Sequence, residues 1–212
     1  MIKKITIIDY GIGNVQSIMN ALSRFDITSI LSSDKQEILN SDAIILPGVG
    51  AFRRAMERLK EKNLDSVINE FALTGKPFLG ICLGMQLLFD QSDEFGITPG
   101  LGLIHGKVEK FSTDLKAKLP HIGWCTLNDY SSSFEKTIFS TINSEDKFYF
   151  IHSYICKPNE DKYILSTTEY GGIQFCSAVK KDNIIGCQFH PEKSGESGLK
   201  VIKEFTNFVN KF

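Results

Sequence analysis

The chain has 212 residues, 42% hydrophobic and 23% charged, which excludes the collagenous, coiled-coil and disordered classes. A chain of this length buries about 70% of its unfolded surface, so it needs no disulfide or metal staple. Its 24 Lys and Arg against 25 Asp and Glu leave a net charge of -1, without the basic excess of a nucleic-acid binder.

The first ninety residues alternate strand and helix. Lys3–Asp9 reads as a β-branched strand and Tyr10-Gly11-Ile12-Gly13-Asn14 as a loop. Val15, Ile18, Met19, Leu22 and Phe25 then recur at helical spacing. Thr28–Leu31 is a short strand, and Ser33-Asp34-Lys35-Gln36 has the form of a capping box. Ala43–Leu46 is an apolar strand that stops at Pro47-Gly48-Val49-Gly50. Helical stripes follow through Phe52, Met56 and Leu59, and through Leu64, Val67, Ile68 and Phe71, the second closed by Gly75. Pro77–Ile81 is another apolar strand. Short apolar strands between helices predict an α/β fold, its mostly parallel sheet covered on both faces.

Beyond residue 100 the pattern turns strand-rich and predicts an antiparallel extension. Lys107–Phe111, Trp124–Leu127, Phe148–Cys156, Tyr163–Tyr170, Ile173–Val179 and Ile184–Phe189 read as strands, with a turn at Lys180–Asn183. A closing helix carries Leu199, Ile202, Phe205, Val209 and Phe212. Ser131-Ser132-Ser133 is too short to be a domain boundary, so residues 1–212 read as one domain. The run Ile5–Ile8 stops at Asp9, short of a signal-peptide core, and no stretch approaches the roughly 20 apolar residues of a membrane helix. A cytoplasmic protein is expected, without a membrane or nucleic-acid partner. Five widely spaced cysteines with no CxxC pair predict reduced thiols and no metal site. His105 and Cys187 read as packing positions, and Lys180-Lys181 as a solvated turn.

Gly80-Ile81-Cys82-Leu83-Gly84, where a buried strand meets a helix, has the form of a nucleophile elbow with cysteine as the nucleophile. The glycines permit a strained turn and a close strand–helix approach, and the dipole of the helix starting at Leu83 favours thiolate. A buried structural cysteine in a Gly-rich turn is the alternative for the pentapeptide alone. A thiolate nucleophile needs a general base, and the base needs an orienter. His190 ends the strand Ile184–Phe189, and in an extended segment Glu192 shares its face. Pro191 tends to keep His190 extended. At another strand's carboxyl end, Pro47-Gly48-Val49-Gly50 leaves backbone N–H groups free to face an oxyanion, with Gly50 and Leu83 as candidate donors. No G-K-[ST] follows that loop, which argues against a phosphate site, and Gly11-Ile12-Gly13 lacks the third glycine of a dinucleotide fingerprint.

DYGIGN (Asp9–Asn14), PGVGAF (Pro47–Phe52), GICLGMQLLF (Gly80–Phe89), PHIGW (Pro120–Trp124), FYFIHSY (Phe148–Tyr154) and QFHPEKS (Gln188–Ser194) follow in order across nearly the whole chain. In these segments the chain resembles the triad-type (class I) glutamine amidotransferases, and within them the amidotransferase subunits of imidazole glycerol phosphate synthase. The resemblance implies a three-layer sandwich in which Cys82 is the nucleophile, His190 the base and Glu192 its orienter. It implies L-glutamine as substrate, held by Gln86 and Glu94 with backbone help from Ser153 and Tyr154, and no cofactor or metal. It also implies a heterodimer with a synthase subunit, a (β/α)8 barrel that receives the ammonia. Trp124, Tyr149, His152 and Lys193 would face that partner. Cys125 departs from the family's usual Asn after PHIGW, which bears on the partner rather than on hydrolysis. Related subunits supply ammonia for acetamidino-sugar synthesis, and Glu94–Leu103 with Tyr170-Gly171-Gly172 is similar to that branch, so this alternative stays open. A non-catalytic subunit of the same fold is the other alternative, and three intact triad positions weigh against it.

Overall fold

The computed structural model describes residues 3–25, 27–131 and 133–212. Ser132, within the expected linker-like spot, lies outside them. The N-terminal elements are β1 (Lys4–Ile8), α1 (Val15–Leu22), β2 (Thr28–Ser32), α2 (Lys35–Leu39), β3 (Ala43–Leu46), α3 (Phe52–Glu61) and α4 (Leu64–Ala72). There follow β4 (Phe78–Ile81), α5 (Leu83–Leu87), β5 (Phe89–Ser92), β6 (Thr98–Pro99) and β7 (Ile104–Lys110). The rest comprises β8 (His121–Thr126), β9 (Asn128–Asp129), β10 (Lys147–His152), β11 (Tyr154–Pro158), β12 (Ile164–Tyr170), β13 (Ile173–Lys181), β14 (Ile184–Cys187) and α6 (Gly195–Lys211).

Among the described residues the main sheet runs β2-β1-β3-β4-β14-β13-β11-β7-β5-β6, with β12 branching from β13 and β9 pairing with β12. β2, β1, β3, β4 and β14 are mutually parallel, whereas β13 and β11 join antiparallel. Side chains alternate across each central strand and divide the core between two faces. Ile5, Ile7, Ile45, Leu79, Ile81 and Ile185 pack on one side with α1 and α6. Ile8, Ile44, Leu46, Phe78 and Ile184 pack on the other with α3, α4 and α5. A separate antiparallel ribbon of β8 and β10 closes over the first face, burying Phe148 and Phe150.

Two boundaries differ from the sequence pattern for local reasons. α2 is capped by Asp34, whose carboxylate accepts from the Glu37 N–H at 2.9 Å, one residue later than the box at Ser33 and Gln36. The run Phe148–Cys156 is two strands broken at Ser153: β10 belongs to the ribbon and β11 to the main sheet. Its unbroken β propensity hides the point where the chain changes sheets.

The glycines at the elbow set how closely α5 approaches the sheet. A Cβ on Gly84 would lie 1.9 Å from the Leu46 carbonyl oxygen, and one on Gly80 would lie 2.8 Å from the Gly84 oxygen. Gly84→Ala must therefore push α5 off β3. It should lower stability by about 3 kcal/mol, the upper end for overpacking. Urea unfolding at neutral pH measures this, and an unchanged midpoint would show that α5 has room to shift.

Candidate active site

The carboxyl ends of β3, β4 and β14 lie side by side, with Leu46 and Gly186 both in register with Gly80. Each strand delivers its next residues to one place. β3 supplies the loop Pro47–Gly50, β4 supplies Cys82, and β14 leads through Gln188 and Phe189 to His190. Ligand sites at strand carboxyl ends are the rule in parallel sheets.

Cys82 takes φ 54° and ψ -111°, a left-handed conformation that costs a non-glycine residue of order 1–3 kcal/mol. Its N–H donates to the Cys187 carbonyl at 2.7 Å, which pins the turn to β14. The His190 imidazole is buried, and its Nδ1 lies 2.7 Å from Oε1 of the equally buried Glu192. The opposite ring nitrogen, Nε2, makes no regular hydrogen bond. Burial alone would lower the His190 pKa, but its interactions with Cys82 and then Glu192 outweigh that and raise it to about 10. The imidazole is therefore held as imidazolium at neutral pH, beside the Cys82 sulfur.

A cleft of about 280 Å³ opens over these groups, lined among others by Gly50, Leu83, Gln86, Glu94, Ser153, Tyr154 and Lys193. Gly50 has φ +89°, with nothing within 4 Å of where a Cβ would stand. Gln86 is buried and spends its amide N–H groups on the Tyr154 carbonyl (3.2 Å) and on Gln188 Oε1 (2.9 Å). Its own oxygen remains to face a ligand. Glu94 accepts from the Phe52 N–H at 2.6 Å, capping α3 while bordering the cleft. A hollow of about 310 Å³ beside α6, between Thr137 and Phe208, is lined by no cysteine or histidine and offers no comparable chemistry.

Three of the four residues expected on a partner face are at the surface or near it. Trp124 is 53% exposed, Tyr149 is half-buried with its ring 5.8 Å from the indole, and Lys193 is exposed. His152 is not: it is buried beneath the ribbon. Alternation along β10 sends Phe148, Phe150 and His152 inward and leaves Ile151 outside, so Ile151 with Ile122 completes the exposed apolar stripe. His105, expected to pack, is exposed on β7 beside Asp90, because the inward positions there are Ile104, Gly106 and Val108.

Two residues without an assigned role in the sequence belong to the site. Tyr10 is fully buried and donates to the Pro47 carbonyl at 2.7 Å, anchoring the glycine loop. Burial, then the nearby Cys82, push its hydroxyl pKa well up, so it stays a donor. Gln188 is fully buried, with Nε2 3.7 Å from the Cys82 sulfur. Both lie inside segments read for their glycines or for His190, and a lone buried Tyr or Gln carries no periodic signal.

The family model for class-I glutamine amidotransferases matches residues 6–208, and the chain belongs to that family. Imidazole glycerol phosphate synthase subunit HisH of Lactococcus lactis subsp. lactis (strain IL1403) is 48% identical over 203 residues, covering 96% of this chain and 98% of that one. HisH of Sulfurimonas denitrificans is 44% identical over 209 residues, covering 97% and 99%. The relatives described here carry the name of the first of the two branches that the sequence left open. Among solved structures, PurLQS from Thermotoga maritima superposes with TM-score 0.73 at 20% identity, covering 98% of this chain and 99% of that one, a likeness of fold.

His152 and His121 form a buried pair under the ribbon. His152 Nδ1 lies 2.9 Å from the Tyr154 carbonyl, so that nitrogen carries the proton and Nε2 accepts from His121 Nδ1 at 3.1 Å. The Cys125 thiol, 3.4 Å from His121 Nε2, completes the chain as donor. Burial lowers His121 to about 4; burial, opposed by the Tyr154 carbonyl and assisted by the His121 and His190 charges, lowers His152 to about 3. The unfolded chain protonates these rings near pH 6.5 while the folded one does not. Stability is therefore lost as pH falls below about 6.5, by up to about 1.4 kcal/mol per pH unit for each ring. His190, charged in the folded state throughout that window, opposes this loss only weakly, because the unfolded ring is itself mostly protonated below pH 6. Urea midpoints between pH 6.5 and 5 should fall, and His121→Phe should reduce the slope. An unchanged slope in that variant would show that His121 is not a buried neutral ring.

Proposed function

We propose that the chain is the glutaminase subunit of imidazole glycerol phosphate synthase and feeds ammonia to a synthase partner in histidine biosynthesis. The observation that carries the chemistry is the strained elbow thiol of Cys82 beside an imidazole held by Glu192. In this reading the Cys82 sulfur attacks the side-chain carbonyl carbon of glutamine. The displaced electron pair settles on the carbonyl oxygen, where backbone N–H groups of Gly50 and Leu83 stabilise it. Leu83 is the first residue of α5, so its N–H has no acceptor within the helix. The His190 imidazolium protonates the leaving nitrogen, which departs as ammonia and leaves a γ-glutamyl thioester on Cys82. Neutral His190 then takes a proton from water as that water attacks the thioester. Collapse expels the sulfur and releases glutamate.

The free acceptor on Gln86 and the carboxylate of Glu94 suit the ammonium end of the substrate. Its carboxylate requires donors, and in this reading the backbone N–H groups of Ser153 and Tyr154, two residues that line the same cleft, supply them. Ile122, Trp124, Tyr149 and Ile151 on the ribbon, with Lys193 beside the triad, supply an apolar docking face with a charged edge. A (β/α)8 barrel docked there in the cytoplasm, as a heterodimer, would take ammonia directly from the cleft. The His190 N–H donates to the Tyr149 carbonyl at 2.9 Å, so a partner pressing on the ribbon bears directly on the triad.

Cys82→Ala should abolish ammonia release from glutamine while the assembled synthase still turns over with supplied ammonium. An electrophilic glutamine analogue should label Cys82 alone. Burial raises the pKa values of Cys125, Cys156, Cys176 (to about 12) and Cys187 and keeps them unreactive. Substantial glutaminase activity in Cys82→Ala would refute the assignment.

A further inference from the structure

We propose that Gln188 is a further catalytic residue: its side-chain amide donates to the Cys82 sulfur and ties the nucleophile to the glutamine-holding amide of Gln86. The inference rests on the glutaminase reading above and deepens it. Nothing in an elbow, or in a histidine at a strand end, demands a glutamine two residues before that histidine. Here the position is fully buried, where an unsatisfied amide costs about 1–3 kcal/mol, yet both ends of the amide are engaged.

The orientation of the amide follows from the chain of partners rather than from choice. The Tyr154 carbonyl can only accept, and it already accepts from His152 Nδ1 at 2.9 Å. The Gln86 group 3.2 Å from that carbonyl must therefore be the NH2. The same nitrogen lies 2.9 Å from Gln188, which must present its oxygen there. That leaves the Gln188 NH2 pointing at Cys82, 3.7 Å from Sγ. A backbone carbonyl thus fixes, through two amides, a donor aimed at the reacting atom.

The bond gains strength when the sulfur carries charge and loses it when the sulfur is acylated. It therefore stabilises the sulfur as the attacking thiolate and, again, as the group expelled when the thioester collapses. A substrate ammonium on the Gln86 oxygen polarises the Gln86 N–H toward Gln188, and Gln188 in turn toward the sulfur. Recognition of the substrate's amino group and readiness of the nucleophile are then linked by two hydrogen bonds.

The test compares wild type with Gln188→Met, which keeps length and apolar volume but has no donor, and Gln188→Glu, which keeps the acceptor for Gln86 but turns an oxygen toward the sulfur. Iodoacetamide alkylation of Cys82 is followed from pH 4 to pH 10, with ammonia release from glutamine measured in parallel. The other titratable groups around Cys82, namely Tyr10, Glu94, His152, Cys156, Cys187, His190, Glu192 and Lys193, are the same in all three proteins. Loss of a donor to a charged group should move the midpoint of the alkylation pH profile up by about one pH unit in Gln188→Met, and by more in Gln188→Glu. At pH 10, where ordinary thiols are ionised, the Gln188→Met rate should match wild type. Slowing by the same factor at every pH, with the midpoint unchanged, would show a packing defect and overturn the proposal, as would a Gln188→Met profile that superimposes on wild type. Should the variants fail to fold, the wild-type side-chain amide resonance of Gln188 must move when Cys82 is alkylated, and a stationary resonance overturns the proposal. A wild-type protein that releases no ammonia from glutamine would refute the glutaminase reading instead, and the alkylation ratios would still report on Gln188.

Discussion

The contact on which the site depends is the approach of α5 to the end of β3, where Gly84 stands against the Leu46 carbonyl with no space for a methyl group. That closeness turns the chain so sharply after β4 that Cys82 must adopt positive φ. The strain is retained because its surroundings over-determine it: the Cys82 N–H is held by the Cys187 carbonyl, and α5 is buried against both neighbours. A thiol forced out of the sheet in this way has one ring to meet, and β14 brings that ring to the same level.

Around the elbow, each group is positioned by backbone rather than by flexible side chains. Tyr10 fixes the glycine loop through the Pro47 carbonyl. Ser194 locks the segment after the triad, donating to the His190 carbonyl at 2.6 Å and accepting from the Tyr149 N–H at 2.9 Å. Those bonds tie the ribbon to the triad, so the surface that carries Trp124 and Ile151 is mechanically part of the site. In the proposed reading, a partner docked on the ribbon would bias the site through this connection.

Much of the fold was legible because strand and helix periods differ so plainly. Ala43–Leu46 and Ile173 onward are found where alternation and turn residues place them. The grouping of Cys82, His190 and Glu192 was legible because its members sit in short segments whose chemistry is local: an elbow must have its glycines, and His-Pro-Glu places imidazole and carboxylate within reach. What stayed hidden depends on which sheet a strand joins. Phe148–Cys156 is uniformly β-prone, and only tertiary pairing reveals that it crosses from ribbon to main sheet at Ser153. His152 was therefore assigned to the surface when its inward parity buries it on His121. Tyr10 and Gln188 were hidden for another reason, since their roles arise from partners 37 and 106 residues away.

The central claim is that the Cys82 sulfur becomes acylated by the γ-carbonyl of glutamine. Acid quenching during turnover, followed by mass analysis of the peptide containing Cys82, tests this directly. The account predicts a mass increase of one glutamyl group on that peptide, absent from the other cysteine peptides and discharged by hydroxylamine. Steady glutamine hydrolysis with Cys82 unmodified under the same quench, or a glutamyl group found on another residue, would contradict it.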